Sequence, residues 1–556
     1  MNSFLLNHHR KLFYFFWLTL GIIQAACTKL IDDEAYYWVY SRFPSWGYFD
    51  HPPMTALLIK VGYAIFQNEL GVRILSVVLN VLTILILEKL IEKKNPFLFY
   101  AIVLSIVAFQ VVGFLAVPDN ALLFFTALFF YTYRKFLHQP TLKNAVFIGV
   151  VTALLMYTKY HGVLVVFFTL ISNVRLLSKW QTWVAGLLAL FLYIPHLHWQ
   201  WQNDWIGVRY QLFEGNVDPY KISFTTDYLL GQLLLPGPIA GLLLLPFAFI
   251  YRPQNKIERA LKFTMVGIYA FFFISTFRGP AEVNWPVPAL IPLAILSHYY
   301  LSGKSRFFKP LRVITVISLV LTVALRLYMM IDLGPDNAIK ERFHAVSRWV
   351  PELNKKTGKY PVIFTNSYQY ASQFWFYTGK PSHEIRYYIS RRTNYNLWPT
   401  DLNLLGQPVF FASQYKTHPY QDSVFAEHDW LGIWYDSSFA PMGKISIRAE
   451  KDSYIIKKGE ALALQIHPTF PDPYPDFFKA HPELSTQLIV GIAEGKKEIK
   501  EIETGITAPQ LITRDTISFI ADTKDLPRGK YTMRFTIRVK NYMLAHNSNK
   551  MGLIIE

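Results

Sequence analysis

The sequence IDDEAYYWVYSRFPSWGYFDHPP, Ile31 to Pro53, follows directly on the first long apolar run, Leu12–Thr28. Three carboxylates, Asp32, Asp33 and Glu34, stand where a membrane helix would emerge, and the step Asp50-His51-Pro52-Pro53 closes the stretch. Acids at a membrane boundary often only mark the water phase. The aromatic residues between them, Tyr36, Tyr37, Trp38, Tyr40, Phe43, Trp46, Tyr48 and Phe49, are more apolar surface than a solvated loop needs. An interfacial segment holding charged chemistry against an apolar ligand does need it. The stretch reads as an aromatic loop at the centre of an active site, at the end of a membrane span.

Composition agrees. The chain has 556 residues, 52% of them hydrophobic, too long for one ordinary core and apolar enough for a polytopic membrane protein. The single cysteine, Cys27, lies in an apolar run and excludes an intramolecular disulfide framework. The net charge of +17 could suggest nucleic acid, but the lysines and arginines form short clusters between apolar runs, which is a topology signal. No nucleic-acid partner is expected. His8-His9-Arg10-Lys11 before Leu12 resembles a signal sequence without a small-residue cleavage site, so the first span is read as uncleaved.

With about 20 apolar residues needed per crossing, candidate spans are Leu12–Thr28, Gly71–Ile91, Phe97–Ala116, Asn120–Leu137, Asn144–Thr158, Gly162–Leu177, Thr182–His198, Tyr228–Ile250, Leu261–Phe277, Pro286–Leu301 and Val313–Ile331. They number about eleven. Met54–Gln67, interrupted by Lys60, reads as interfacial or re-entrant. The connections alternate in charge. Arg10-Lys11, Glu88–Lys94, Arg134–Lys143, Arg175–Lys179, Arg252–Lys262 and Lys304–Arg312 are basic and are assigned to the cytoplasm. The other set, assigned outside, carries Asp32, Asp33, Glu34, Asp50, His51, Asp119, Lys159, His161 and Glu282. The polar candidates for chemistry thus share one side.

Membrane-length runs stop after Asp332, which puts a domain boundary near Gly334-Pro335. Three domains are expected: residues 1–333 in the membrane, an extracytoplasmic α/β domain over 334–440 and an extracytoplasmic β-sandwich over 441–556. The α/β part rests on a helix around Phe343–Leu353, strands at Pro361–Thr365 and Pro408–Ala412 and an aromatic helix at Tyr368–Tyr377. The sandwich rests on period-two alternation in Leu462–Ile466, Leu488–Ile492, Ile517–Ile520 and Tyr531–Val539.

Asp33 and Glu34 are the leading catalytic pair, because a partly buried carboxylate near an acceptor hydroxyl can act as general base. Asp32 is left as a helix cap. Asp119, after Pro118 at the head of a span, is either an N-cap or a second catalytic acid. Cations on the outer side, Arg73, Lys159 and Arg278, either snorkel or bind a phosphate and neutralise it as it leaves. His51 is a further donor to that group. Glu282, Asn284 and Trp285 could bind a sugar or simply shape their loop. His196 and His198, with Asp204 nearby, have a spacing open to a metal, but Trp199, Trp201 and Trp205 favour an interfacial belt.

The order of Asp33-Glu34 with Tyr37, the Asp50–Pro53 turn, Arg73, Pro118-Asp119 and Lys159-Tyr160 resembles the integral-membrane glycosyltransferases of the GT-C fold. Within them it is most similar to family 39, the protein O-mannosyltransferases and the lipid A aminoarabinose transferases. The likeness spans Leu12 to Leu301. It implies a sugar donor on a polyprenyl phosphate and inverting transfer on the extracytoplasmic side, with Asp33 as the catalytic aspartate and Asp119 as the second acid. Tyr37, Asp50, Tyr160 and the outer cations would line the substrate. Where lipid A transferases carry Glu-Lys-Pro-Pro, this chain has Asp50-His51-Pro52-Pro53 and lacks the lysine.

The expected protein is a polytopic α-helical membrane glycosyltransferase of the plasma or inner membrane with an extracytoplasmic C-terminal region. Its partners are the lipid-linked donor, membrane lipids and a lipid, glycan or protein acceptor. It requires no cofactor, and a divalent metal, though allowed, is not indicated. The rival readings are a lipid-linked-sugar transporter or flippase and an O-antigen-type ligase or polymerase.

Overall fold

The computed structural model describes residues 3–93, 95–215, 217–333, 337–415, 419–427 and 429–556. It divides into two compact units, Met1–Pro335 and Asp336–Glu556. The boundary expected at Gly334-Pro335 lies outside the described residues.

The first unit is helical. Its opening helices are α1 (Ser3–Cys27), α2 (Asp32–Arg42), α3 (Met54–Ile65), α4 (Glu69–Leu90), α5 (Pro96–Ser105) and α6 (Val107–Val111). There follow α7 (Pro118–His138), α8 (Leu142–Thr158), α9 (Gly162–Ser172), α10 (Trp180–Gln202) and α11 (Ile206–Arg209). The last are α12 (Ile222–Leu234), α13 (Ala240–Ile250), α14 (Lys256–Ser275), α15 (Leu290–Leu301) and α16 (Phe308–Met330). One continuous apolar core runs through it, from Ile84 and Leu87 on α4 through Phe129 and Phe130 on α7 to Leu290–Leu296 on α15.

Two expected spans are broken. Phe97–Ala116 becomes α5 and α6 with Ile106 extended between them, and Tyr228–Ile250 becomes α12 and α13 across Pro236-Gly237-Pro238. Proline lacks the amide hydrogen a continuing helix needs. Among the described residues, three helices are long and apolar enough to cross a membrane: Glu69–Leu90, Trp180–Gln202 and Ser305–Met330. A fourth arises if His8–Cys27 and Asp32–Arg42, bent by 87°, count as one broken span. Several other expected spans are apolar but shorter, among them Leu142–Thr158 and Gly162–Ser172.

The expected aromatic loop is a helix in its first half. Asp32, Asp33 and Glu34 occupy the first turn of α2, where carboxylates meet the positive end of the helix dipole. Phe43 ends the helix because the following Pro44 disfavours helical backbone before it. Residues Glu34 to Ser41 are buried, so the aromatic rings pack inward.

Among the described residues, the second unit holds three sheets. The first has order β2-β1-β3-β5-β4, with β1 Val362–Thr365, β2 His383–Ile385, β3 Val409–Ser413, β4 Asp422–Ala426 and β5 Asp429–Asp436. Strands β2, β1 and β3 run parallel and β5 and β4 are antiparallel additions; the sequence reading missed β2, β4 and β5. Beyond them, β6 (Ser446–Ala449), β7 (Ser453–Ile456), β8 (Leu462–Thr469), β9 (Thr486–Glu494) and β10 (Lys497–Glu503) lead to β11 (Ile517–Ala521), β12 (Gly529–Val539) and β13 (Met551–Ile555). They form a five-stranded sheet β10-β9-β12-β13-β7 and a three-stranded sheet β11-β8-β6. Leu464 and Ile466 of one sheet and Val490, Ile492 and Phe535 of the other share a core, as a sandwich requires. Tyr542, Met543 and Ala545 pack on the core of the first sheet. The α/β and sandwich parts, expected as separate domains, are therefore packed together within one compact unit.

Candidate active site

The site is built around α2. Glu34 is fully buried and accepts from Arg73 through Nε at 2.7 Å and through Nη2, from the Ile31 amide at 3.2 Å and from the Ala116 amide at 2.8 Å. Those four bonds fill the acceptor positions of a carboxylate. Arg73 is also fully buried. Its remaining donors go to the carbonyls of Ala25 at 3.2 Å, Thr28 at 2.5 Å and Lys29 at 2.9 Å. All five guanidinium hydrogens are thereby engaged.

This corrects two expectations. A saturated carboxylate has no lone pair for an acceptor proton, and a saturated guanidinium has nothing to offer a departing phosphate. Glu34 and Arg73 instead lock the end of α1, the start of α2, α4 and the segment before α7 into one frame. Asp33, adjacent in the same helical turn, keeps partial exposure.

The Ala116 bond brings the head of α7 to α2. Pro118 and Asp119 fill the first two positions of α7, a placement that suits proline's fixed φ and an anion at the dipole. Asp119, 4% exposed, accepts from Lys159 Nζ at 2.9 Å and from Asn284 Nδ2 at 2.9 Å. Residues far apart in sequence thus meet in one buried cluster. Lys159, at the end of α8, is 6% exposed.

Around this cluster stand the aromatic and imidazole groups. His161 lies between the rings of Phe272 at 4.9 Å and Trp285 at 5.6 Å. Burial first, then the charges of Lys159 and His51, hold its imidazole well below its ordinary range. His51 meets the Tyr37 ring at 5.6 Å. Asp50 is buried and accepts from Tyr40 at 3.1 Å. Burial, then the Asp50 charge, keeps the Tyr160 phenol well above its ordinary range.

Of the residues expected in the site, Asp119, Lys159 and Asn284 bond directly. Tyr37 meets His51 ring to ring, and the charge of Asp50 acts on Tyr160. Trp285 joins through His161. Arg278 and Glu282 are exposed and enter through their backbone carbonyls, which accept from Asp218 at 3.1 Å and from Trp285 at 3.1 Å. His196 is buried while His198 is exposed beside Trp201 at 5.7 Å, so the helix turns the two imidazoles apart.

The sequence reading missed Gln200 and Gly207. Gln200 donates to Tyr160 Oη at 2.7 Å, and a Cβ on Gly207 would lie 3.0 Å from that oxygen and 3.2 Å from the Phe49 carbonyl. Neither has a local sequence signal, because both matter only through chain segments brought together by folding.

Comparison with known proteins bears on this arrangement. Residues 50–199 match the model of the dolichyl-phosphate-mannose-protein mannosyltransferase family. The chain is 23% identical over 375 residues to the lipid A galacturonosyltransferase RgtD of Rhizobium johnstonii, covering 63% of this chain and 78% of that protein. To the lipopolysaccharide core galacturonosyltransferase RgtB of the same organism it is 26% identical over 324 residues, covering 50% and 62%. Among solved structures, apo ArnT from Cupriavidus metallidurans superposes with a TM-score of 0.55 at 14% identity, over 75% of this chain and 96% of that one. ArnT bound to undecaprenyl phosphate gives 0.53 at 13% identity, over 78% and 99%. The chain shares the fold of these ArnT structures, and its residues 50–199 resemble the dolichyl-phosphate-mannose-protein mannosyltransferase family.

Proposed function

We propose that this protein transfers a sugar from a polyprenyl-phosphate donor to a lipid or glycan acceptor at the extracytoplasmic face of the membrane. The observation that carries the reading is the buried Asp119–Lys159–Asn284 cluster, tied to α2 through the Ala116–Glu34 bond. The names of RgtD and RgtB put galacturonic acid first among sugars to test, and the undecaprenyl phosphate bound to ArnT supports the donor class. The alternation of basic and acidic connections supports about eleven crossings, the shorter apolar helices included, with the second unit outside.

In this reading Asp33 takes the proton of the acceptor hydroxyl as that oxygen bonds to the anomeric carbon. The bond from that carbon to the phosphate oxygen breaks, and the phosphate leaves with the electron pair on the opposite side, inverting the centre. Lys159 and His51 meet the charge of the leaving phosphate. Asp119 and Asn284 hold Lys159 in place, so the cation is positioned before the donor arrives. Protein cations alone can stabilise such a leaving group, so this route calls for no metal.

The test is a purified, full-length protein given labelled undecaprenyl-phosphate galacturonate and lipid A or core oligosaccharide. One added hexuronate on the acceptor is the expected mass shift. Movement of the lipid-linked sugar across a bilayer without a modified acceptor would instead establish a flippase.

A further inference from the structure

Two buried polar atoms of the helical unit, His196 Nε2 and Gln200 Oε1, have no hydrogen-bond partner among the described residues, and both belong to side chains on one face of α10. His196 is 1% exposed and Gln200 fully buried. They are one helical turn apart, so their side chains project together. His196 Nδ1 lies 2.8 Å from the Trp46 carbonyl. A carbonyl only accepts, so Nδ1 carries the hydrogen and Nε2 presents a lone pair in the neutral ring. That Nε2 is buried and unpartnered.

Gln200 repeats the pattern. Its Nε2 donates to Tyr160 Oη at 2.7 Å, while its Oε1 is buried and unpartnered. Tyr160, having received a bond, keeps its own hydroxyl hydrogen to give. Its ring is 5.7 Å from that of His196, with Tyr193 at 4.9 Å and Tyr157 at 6.3 Å on the other sides. Buried acceptors left open are costly, and an aromatic enclosure with a few inward polar groups is how a ligand site is built.

The location fits the chemistry. Tyr160 follows Lys159 in the chain, and the Trp46-Gly47 segment rests on α10 so closely that a Cβ on Gly47 would lie 2.3 Å from the Trp199 ring. We propose that His196 Nε2, Gln200 Oε1 and the Tyr160 hydroxyl form a subsite for the hydroxyls of the donor's sugar ring, beside Lys159. This rests on the donor reading given above. Two lone pairs accept from sugar hydroxyls and repel a carboxylate, so the carboxylate of a uronate would point away from this face.

The test titrates full-length protein in detergent with bare undecaprenyl phosphate and with its galactose, glucose and galacturonate esters, following tryptophan fluorescence. The unaltered protein is expected to bind at least one sugar ester about tenfold tighter than the bare lipid. His196→Asn retains a donor for the Trp46 carbonyl but has no Nε2 lone pair, and Gln200→Met removes Oε1. Each is expected to abolish most of that gain, while affinity for bare lipid stays within about twofold. A gain retained in either variant, or no gain for any ester in the unaltered protein, overturns the subsite. Failure to bind even bare undecaprenyl phosphate overturns the donor reading and the subsite together.

Discussion

Glu34 on α2 and Arg73 on α4 form a two-point ion pair from which water is fully excluded, across 39 residues of sequence. Removing one partner leaves the other charge buried alone, which costs about 3–5 kcal/mol. Arg73→Met should therefore lower the thermal midpoint of the detergent-solubilised protein sharply. Glu34→Gln should do so as well, and the double variant should be no worse than the worse single one. Additive losses would show that the two residues act separately.

Lys159 is held by Asp119 and Asp119 by Asn284. If Lys159 meets the donor phosphate, Lys159→Ala should weaken binding of undecaprenyl phosphate by about tenfold or more. Asn284→Ala should leave that affinity nearly intact and slow transfer, because it loosens the cluster without removing the cation. Isothermal titration beside single-turnover assays separates these effects.

Gly207 is a close-approach position. A methyl group there would meet Gln200 Nε2 at 2.7 Å and Tyr160 Oη at 3.0 Å. Gly207→Ala should displace Tyr160 at a stability cost of about 1–3 kcal/mol, raising KM for the donor more than it lowers kcat. Steady-state kinetics with varied donor gives that split.

The second unit has its own pH dependence. His383 is buried, its Nδ1 2.8 Å from Thr400 Oγ1, and burial lowers its pKa from 6.5 to about 4, against a smaller opposing effect of Asp401. The folded state therefore resists protonation that the unfolded chain accepts. Stability from this residue is complete above about pH 6.5 and falls as the pH drops toward 4, by about 3 kcal/mol in all. Hydrogen exchange across Val362–Ile385 in the full-length protein should accelerate over that window, and His383→Asn should flatten the response.

The sequence made the apolar helical half, strands β1 and β3 and the sandwich legible because those rest on local periodicity. Val362–Thr365, Tyr368–Thr378 and Val409–Ser413 fall within a residue or two of the expected elements. The first turn of α2 was harder: adjacent acids look alike in sequence, and only the arrival of Arg73 and the Ala116 amide shows Glu34 to be saturated while Asp33 keeps some exposure. Arg73 itself looked like an outer cation because its carbonyl partners on Ala25, Thr28 and Lys29 carry no sequence signature. Breaks at Ile106 and Pro236–Pro238 were hidden inside continuous apolar runs. Asp119 and Lys159 were recognised as residue types in the right order, but their pairing is a property of the fold.

In the proposed mechanism Asp33 takes the acceptor proton while Glu34 holds the frame. The most direct measurement is the transfer rate of Asp33→Asn in bilayers with labelled undecaprenyl-phosphate sugar, together with its affinity for the donor. The expected result is a loss of about 10²–10⁴-fold in rate, the usual contribution of a general base, with donor affinity unchanged. Transfer by Asp33→Asn at a rate close to that of the unaltered protein would contradict it.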